Sequence, residues 1–305
     1  MKKEAICISK LEYSYPDGKK ALYNVNMKIF EGEKVTIMGP NGAGKTTLLL
    51  NINGTVKTPS PSVSIFGKSI FSMDIVERIQ NVGVVFEDPD DQLFMPTVYD
   101  DVAFGPANMG LDKDEVDKRV KNALLRVGME DFEQYVPHHL SSGQKKKVAL
   151  AAVLSMEPKI IVLDEPTANL DPRSKSELIN LLEKLNQDKQ TTIITVTHDV
   201  NTISRLADRI YVLNQTVVAE GTPYEIFSDK ELLAAQNLES PDTLQLFYML
   251  AHLGYSCNQH PLSVNEAAEN LICTMQQNNN LIQLNMNSSA YENIKELTKL
   301  QTDND

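Results

Sequence analysis

Short apolar runs recur through the first two-thirds of the chain and alternate with helical patterns. Four of these runs are almost continuously apolar or β-branched, as expected for strands buried on both faces: Lys34–Met38, Val82–Phe86, Lys159–Leu163 and Thr192–Thr197. Strands that alternate with helices predict an α/β fold, in which a mainly parallel sheet is covered by helices.

The start of the chain follows a different pattern. Ala5–Tyr15 and Ala21–Ile29 alternate between apolar and polar residues, and Asp17-Gly18 between them is typical of a tight turn. We therefore expect an antiparallel hairpin, and with it a small antiparallel β subdomain, before the parallel sheet.

Strand patterns are absent between about residue 95 and residue 150. Apolar side chains with the spacing of one helical face lie in this stretch, and a glycine follows them: Val116, Val120, Leu124 and Val127, then Gly128. The stretch is predicted to be a helical insert in the α/β core.

The pattern changes again after Thr222. Two Ser-x-x-Glu pairs have the spacing of a helix capping box: Ser228 with Glu231, and Ser263 with Glu266. A further helical pattern follows Ser240-Pro241 and places four apolar residues on one face: Leu244, Phe247, Leu250 and Ala251. We expect residues 1–222 to form one domain and residues 223–305 a mostly helical C-terminal extension, with an Asn- and Gln-rich loop or poor strand at 276–289.

Composition and charge narrow the class of protein. The 305 residues are 42% hydrophobic, which is typical of a globular chain. With 29 basic and 41 acidic side chains the net charge is −12, which disfavours general binding to nucleic acid. The three cysteines lie far apart, no apolar run approaches the roughly 20 residues of a membrane span, and the first residues do not resemble a secretory signal. We expect a reduced, cytosolic protein.

The segment after the first buried strand has the pattern G-x-x-x-x-G-K-[ST], and an apolar helical run follows it. In that context glycines let successive backbone N–H groups point at a polyphosphate, and the next helix adds its positive N-terminal end. Lys45 would reach the β- and γ-phosphates, and the Thr46 hydroxyl would bind Mg²⁺. The candidate nucleotide-binding residues here are Gly39, Pro40, Asn41, Gly42, Ala43, Gly44, Lys45, Thr46 and Thr47.

A pair of carboxylates ends another predicted strand. Asp164 and Glu165 directly follow Lys159–Leu163, and ligands bind at the carboxyl ends of parallel strands in such sheets. Asp164 could hold Mg²⁺ through water, and Glu165 could polarise the water that attacks the γ-phosphate. Together with the phosphate-binding loop, the pair predicts a site for nucleoside-triphosphate hydrolysis.

Further motifs, in their order along the chain, resemble those of ATP-binding-cassette (ABC) ATPases. Leu140-Ser141-Ser142-Gly143-Gln144 resembles the signature sequence, Ala168-Asn169-Leu170-Asp171 the D-loop, and His198 the switch histidine. Tyr15 resembles the aromatic residue that stacks on adenine in that family. The resemblance covers about residues 4–225. It implies nucleotide contacts for Ser141, Gly143 and Gln144, and catalytic roles for Glu165, His198 and Lys45.

A narrower resemblance is to the ATPases of energy-coupling-factor importers, a group that includes cobalt, nickel and vitamin uptake systems. It is carried by three segments: Tyr15-Pro16-Asp17-Gly18, Asp88-Pro89-Asp90-Asp91-Gln92-Leu93-Phe94 and Asp101-Val102-Ala103-Phe104-Gly105-Pro106. The helices after Gly221-Thr222-Pro223 resemble that group's extension. The resemblance implies an ATPase that uses ATP and Mg²⁺ and lies peripherally on the cytoplasmic face of the membrane. The implied partners are a second ABC ATPase in a homo- or heterodimer, an integral membrane coupling subunit and a substrate-binding membrane subunit.

The family resemblance also implies a mechanism. Two ATPase domains pack head to tail around two ATP molecules, and Ser141 and Gly143 of the partner subunit close over the γ-phosphate. Glu165 acts as general base or orients the attacking water, and His198 holds the γ-phosphate and that water. Hydrolysis reopens the dimer, and the motion passes to a membrane partner seated near residues 87–94 and the helical insert.

Two positions depart from the family pattern. Glu87 stands where the family has a glutamine that contacts Mg²⁺, and Ser142 stands where the signature has its first glycine. A carboxylate can still bind Mg²⁺, so the expected metal ligands are Thr46, Glu87 and Asp164. Serine suits the start of a helix, so Ser142 is expected to have a mild effect, provided that no positive φ is needed there.

The chain contains three other clusters of charged or titratable residues. The acidic residues Asp88, Asp90, Asp91, Asp100 and Asp101 either receive basic helices of the membrane subunit or form solvated turns. Lys145-Lys146-Lys147 is expected to be a solvated helix face, because consecutive helical residues point about 100° apart. His138, His139 and His260 lack partners at ligand spacing, so no metal site is predicted there.

Two alternatives to a transport ATPase stay open. One is a soluble ABC ATPase that acts on chromosomes or ribosomes, although the short segment between Lys45 and Ser141 leaves no room for a long coiled-coil arm. The other is the ATP-binding, weakly hydrolysing half of a heterodimer, which Glu87 and Ser142 favour. Specificity in such importers lies in the membrane subunits, so the expected solute is a metal ion such as cobalt or nickel, or a vitamin.

Overall fold

A computed structural model describes residues 3–56, 61–257, 259–277, 281–282 and 284. The chain divides into two compact units, one of residues 1–199 and 205–222, the other of residues 200–204 and 223–305. All residues of the predicted nucleotide site lie in the first unit. In the described part of the chain, no helix is long and apolar enough to cross a membrane.

The strands of the described residues form two sheets. In chain order they are β1 Glu4–Ser14, β2 Lys20–Phe30, β3 Lys34–Met38, β4 Val63–Ile65, β5 Lys68–Ser69, β6 Val82–Val85, β7 Ile160–Asp164, β8 Thr192–Val196, β9 Arg209–Asn214 and β10 Thr216–Gly221. One sheet has the order β2-β1-β4-β5, and the other has the order β10-β9-β3-β8-β7-β6.

The smaller sheet is antiparallel. β1 and β2 pair from Glu4 opposite Phe30 to Ser14 opposite Lys20, and Gly18 turns the chain between them with a φ of 84°. The predicted N-terminal hairpin is therefore confirmed. β4 and β5 extend it on the β1 side, and their shortness explains why no strand was predicted there.

The larger sheet is parallel except at one edge. β3, β6, β7, β8 and β9 run parallel, and β10 pairs antiparallel with β9. Every residue of β7 and β8 is buried, which accounts for their almost continuous apolar or β-branched sequences. The four predicted strands are confirmed to within one residue at each end, and β9 and β10 are additional.

Helices cover the larger sheet and form the predicted insert. In chain order they are α1 Lys45–Ile52, α2 Ile75–Asn81, α3 Val98–Asn108, α4 Lys113–Val127, α5 Ser142–Leu154 and α6 Pro172–Lys189. The next helix, α7 Val200–Leu206, has most of its residues in the second unit. The insert consists of α3, α4 and α5, which share one apolar core. The predicted face of α4 is buried in that core, and α4 ends at Gly128 with a φ of 68°.

The expectation that Lys145-Lys146-Lys147 form a solvated face is wrong. Lys146 is only 6% exposed, and its neighbours form ion pairs, Lys145 with Asp90 at 2.8 Å and Lys147 with Glu177 at 2.7 Å. Because consecutive helical side chains point about 100° apart, the three lysines reach three different elements around α5.

The acidic group proposed as a docking surface also needs correction. Asp101 is 4% exposed, and its Oδ1 accepts hydrogen bonds from the backbone N–H groups of Phe94 and Met95, both at 3.0 Å. Burial raises the pKa of Asp101. This carboxyl group therefore shapes the preceding loop and does not face a partner.

Four further helices lie in the described part of the second unit: α8 Pro223–Ser228, α9 Lys230–Ala235, α10 Asp242–His252 and α11 Val264–Gln277. α10 follows Ser240-Pro241 as predicted, although Ala251 on its expected apolar face is exposed. Ser263 caps α11 by accepting from the backbone N–H of Glu266 at 3.3 Å. Ser228 is not a cap, because α8 extends through it and Asp229 caps α9 instead. The Asn- and Gln-rich stretch 276–289 lies largely outside the described residues.

Candidate nucleotide-binding and catalytic site

Three loops that carry predicted site residues leave neighbouring strands of the larger sheet. β8 lies between β3 and β7, and the loops after these three strands begin with Gly39, Thr197 and Glu165. The carboxyl ends of adjacent parallel strands meet at one edge of a sheet. The fold thus brings the phosphate-binding loop, the carboxylate pair and His198 to a common edge.

The loop after β3 requires glycine at two positions. A Cβ atom on Gly39 would lie 2.0 Å from the backbone oxygen of Leu213, which is far inside van der Waals contact. Gly44 has a φ of 93° as the residue before α1, and a Cβ atom there would lie 2.6 Å from the backbone oxygen of Ala21. Backbone atoms elsewhere in the same chain therefore leave no room for a side chain at the first and last glycines of the motif.

Lys45 lies across this loop. Its Nζ donates hydrogen bonds to the backbone oxygens of Gly39 at 2.7 Å and Pro40 at 3.0 Å. Burial lowers the pKa of Lys45, and the charges of Glu165 and Asp164 partly oppose that shift. The ammonium group thus stands between the loop backbone and the acidic side of the site.

The remaining loop residues divide into an exposed tip and a packed base. Asn41 and Gly42 are exposed, whereas Ala43 and Thr47 are buried. Thr47 faces the small sheet, where its Oγ1 lies 2.6 Å from the Tyr15 hydroxyl. The Tyr15 ring is partly exposed and packs edge to face on Tyr13. The hydroxyl contact holds the Tyr15 ring beside α1.

Thr46 and Asp164 meet directly. The Thr46 hydroxyl donates to Asp164 Oδ2 at 3.3 Å. Asp164 is buried, and burial raises the pKa of its carboxyl group, helped by the charges of Glu165 and Glu87. Glu87 is exposed in the loop after β6. The structure therefore gathers three carboxylates near one hydroxyl.

This donor set fits a hard divalent cation, because hydroxyl and carboxylate oxygens are the ligands that Mg²⁺ takes. Among the described residues no three His, Cys, Asp or Glu side chains are placed to hold a metal by themselves. Mg²⁺ usually binds through one or two carboxylates together with water and substrate phosphates. The predicted ligands Thr46, Glu87 and Asp164 agree with that kind of shared site.

Glu165 is held by three hydrogen bonds. Its Oε2 accepts from the Thr197 hydroxyl at 3.0 Å, and its Oε1 accepts from the backbone N–H of His198 at 3.1 Å and lies 2.7 Å from His198 Nδ1. The carboxylate is 8% exposed as a residue, whereas the His198 side chain is 75% exposed. This arrangement fixes the orientation of the carboxylate and leaves the far side of the imidazole open to a ligand.

Thr197 was not predicted as a site residue. It is fully buried at the end of β8, and its hydroxyl also accepts a hydrogen bond from the backbone N–H of Asp199 at 3.1 Å. A signal for it was present in the sequence, because a polar residue ends an apolar strand directly before His198.

The signature segment begins α5. Ser141 Oγ accepts from the Gln144 backbone N–H at 3.3 Å, and Gln144 Oε1 accepts from the Ser141 backbone N–H at 3.0 Å. This capping box engages the Gln144 side chain, and Gly143 is buried in the first turn. Ser142 occupies the first helical position without a positive φ. A serine therefore causes no backbone strain there, and its effect is still expected to be mild.

An open cleft of about 620 Å³ connects parts of this site. Its lining includes Thr46, Glu87, Asp164, Ser142, Lys145 and Lys146. Within the described ranges, no hydrogen bond joins Ser141, Gly143 or Gln144 to the phosphate-binding loop. Ser142 of the signature segment thus faces the predicted site across this cleft, whereas Ser141 and Gln144 are hydrogen-bonded to each other.

Comparison with known proteins places this site in a family. Residues 22–168 match the family model for the ABC transporter domain. The chain is 48% identical over 265 residues to an energy-coupling factor transporter ATP-binding protein EcfA of Methanothermobacter thermautotrophicus, covering 86% of this chain and 85% of that protein.

Two solved structures have the same fold. One is cbiO1 of Clostridium perfringens, described as part of the ABC transporter complex cbiONQ, with a TM-score of 0.68, 43% identity, and coverage of 77% of this chain and 95% of that chain. The other is a dimeric ATP-binding cassette in a post-hydrolysis state bound to ADP and Pi, with a TM-score of 0.64, 31% identity, and coverage of 72% and 98%. The predicted fold and ATPase activity are confirmed. The chain belongs to the ABC transporter family, among the ATP-binding subunits of energy-coupling factor transporters.

Proposed function

We propose that this ATPase powers import of a small solute, a metal ion such as cobalt or nickel or a vitamin, through a membrane partner. The observation that carries the ATP hydrolysis in this proposal is the Glu165 carboxylate, held by Thr197 and His198 next to Asp164. The similarity to EcfA and to a component of the cbiONQ complex supports a role in uptake.

In the proposed reaction, the loop at residues 39–46 and the Lys45 ammonium bind the ATP phosphates. Glu165 orients a water molecule and accepts its proton as the water oxygen bonds to the γ-phosphorus. The bond from that phosphorus to the bridging oxygen breaks, and ADP and phosphate leave. His198 Nδ1 faces Glu165, so Nε2 is free to hold the γ-phosphate.

Mg²⁺ would be held by Thr46 and Asp164, with Glu87 as a further oxygen ligand. Once bound there, the ion would neutralise charge on the phosphates. The contact between the Thr46 hydroxyl and Asp164 Oδ2, in a cleft that Glu87 also lines, supports this assignment. The remaining work of binding falls to Lys45 and the loop backbone.

A second ATPase subunit would complete the site. In this arrangement Ser141 and Gly143 of the partner subunit approach the γ-phosphate, and the capped N-terminus of α5 offers its positive end. The dimeric state described for the related ATP-binding cassette supports the arrangement. Homodimer and heterodimer are equally compatible with this geometry.

Reconstitution tests the proposed function. The chain, co-produced with a partner ATPase and the two membrane subunits and placed in vesicles, should take up radioactive cobalt, nickel or a vitamin only when ATP is present on the ATPase side. Phosphate release should rise with uptake. ATP hydrolysis without uptake of any of these solutes would contradict the proposed cargo classes.

The membrane partner is proposed to dock near residues 87–94 and the helical insert. Asp91 is exposed there, whereas Asp90 already pairs with Lys145. Phe94 is 61% exposed and packs edge to face on Phe104 with the ring centroids 5.0 Å apart. An exposed aromatic pair beside a carboxylate suits an amphipathic, basic helix.

Reversing charge on this surface should weaken assembly. The double variant Asp90→Lys, Asp91→Lys is expected to reduce the affinity for the membrane subunits about tenfold, because a basic docking helix would be repelled. Binding is measured with purified membrane subunits in detergent, at two salt concentrations. Glu12→Lys, at an exposed acid on β1 and outside the proposed docking surface, is the control. Unchanged affinity in the double variant would remove these acids from the interface.

A second candidate function is the ATP-binding, weakly hydrolysing half of a heterodimer. Glu87 favours it, because a third carboxylate near the phosphate site opposes binding of a polyanion. Phosphate release by the purified chain, alone and with its partner ATPase, separates the two. Fast release by the chain alone supports the first function, whereas release by the pair that persists when this chain carries Glu165→Gln supports the second.

A further inference from the structure

We infer that Lys146 is a positioning residue for Glu165, because its ammonium group holds the backbone turn that aims the carboxylate. Lys146 Nζ donates hydrogen bonds to the backbone oxygens of Glu165 at 2.9 Å and Pro166 at 3.3 Å. The inference rests on the catalytic role proposed for Glu165.

The turn that Lys146 contacts has an unusual backbone. Glu165 has a φ of 42°, in the left-handed region that residues other than glycine seldom occupy. Such conformations persist where surrounding groups enforce them. Lys146 binds the carbonyl of the strained residue, while Thr197 and His198 bind its side chain. The backbone carbonyl of Glu165 is thus held by Lys146, and its carboxylate is held by Thr197 and His198.

Packing alone does not explain a lysine at this position. Lys146 is 6% exposed, and an ammonium group loses hydration when it is buried. The next residues of α5, Val148 and Ala149, fill the core with apolar side chains. The ammonium is accounted for by the two carbonyls and by the acidic charges of Glu87 and Asp88 nearby.

Lys146 also links the catalytic turn to the signature helix. It lies two residues after Gln144, which completes the capping box of α5. A displacement of α5 would therefore reach the carbonyl of Glu165 through one side chain. Lys145 ties the same turn of α5 to Asp90 in the loop after β6.

Steady-state kinetics of three variants test the inference in the assembled ATPase. Lys146→Met should lower kcat about 10- to 100-fold, because small misplacements of catalytic groups have effects of that size. The KM for ATP and the affinity for ATP should change little, whereas Tm should fall, because two carbonyl oxygens lose their donor. Lys146→Arg should restore most of kcat, because a guanidinium can also donate to both carbonyls. Lys147→Met, which removes a partly exposed ion pair with Glu177, should stay within about twofold.

A double-variant cycle with Glu165→Gln separates positioning from general structural damage. If Lys146 acts through Glu165, Lys146→Met should slow single-turnover phosphate release far less in the Glu165→Gln background than in the native one. An equal loss in both backgrounds, or a kcat of Lys146→Met within twofold of native, would overturn the inference. If Lys146→Met does not fold, Lys146→Arg and Lys146→Gln carry the same cycle. Native turnover in Glu165→Gln alone would instead remove the proposed role of Glu165.

Discussion

Replacing Glu165 with glutamine should abolish most ATP turnover and leave ATP bound. Glutamine can occupy the same pocket, because its oxygen can accept from the two His198 donors while its amide donates to the Thr197 hydroxyl, which can accept as well as donate. The shape of the site is therefore kept. The proton acceptor is lost, and we expect turnover to fall by a factor of about 10² to 10⁴.

The same substitution should strengthen ATP binding, because it removes one of three negative charges near the phosphates. A chain that binds ATP and does not hydrolyse it should accumulate as an ATP-bound dimer. Phosphate release and size-exclusion chromatography with and without ATP measure the two effects.

Glu157→Gln provides a matched control. Glu157 is another glutamate with a left-handed backbone, at a φ of 54°, and its carboxylate pairs with Arg119 at 3.4 Å. Its substitution should leave turnover unchanged. Native turnover in Glu165→Gln would show that another group accepts the proton, and would remove Glu165 from that role.

Replacing Lys45 with alanine should produce the largest loss of ATP affinity. The ammonium lies across the loop and faces Asp164 and Glu165, so its loss leaves a polyanion opposite unopposed carboxylates. A charge-assisted hydrogen bond contributes about 1.5–3 kcal/mol, which corresponds to an affinity about 10- to 100-fold weaker. Equilibrium titration with a fluorescent ATP analogue measures the loss.

Lys159→Ala controls for the change in net charge. Lys159 directly precedes β7, at the opposite end of the strand from Asp164, so its removal should leave ATP affinity within about twofold. An affinity of Lys45→Ala within threefold of native would place the phosphates elsewhere on the chain.

The parts of the fold that sequence predicted best are those with a strong local cause. β3, β7 and β8 are continuous apolar or β-branched runs because both of their faces are covered. The phosphate-binding loop was predictable because its glycines are required by close contacts with the backbone of Leu213 and Ala21. β4 and β5 have only three and two residues, too few for a periodic pattern to stand out.

The parts that sequence missed depend on contacts distant in the chain. Three consecutive lysines are usually solvated, and only the packing of α5 against the turn after β7 makes Lys146 a buried donor. Asp101 was likewise grouped with surface acids, because its contacts with the backbone N–H groups of Phe94 and Met95 cannot be read from an acidic sequence. Thr197 and the Ser141–Gln144 capping box could have been predicted from the sequence, because both depend on residue types at short spacing.

The left-handed backbone at Glu165 lowers the stability of the protein at a position to which we assign a role in catalysis. A non-glycine residue in this region costs about 1–3 kcal/mol, and glycine would relieve most of that cost. Selection for thermal stability alone would therefore favour loss of the carboxylate to which we assign the role of proton acceptor. Stabilised variants should therefore be built by changing residues elsewhere in the chain.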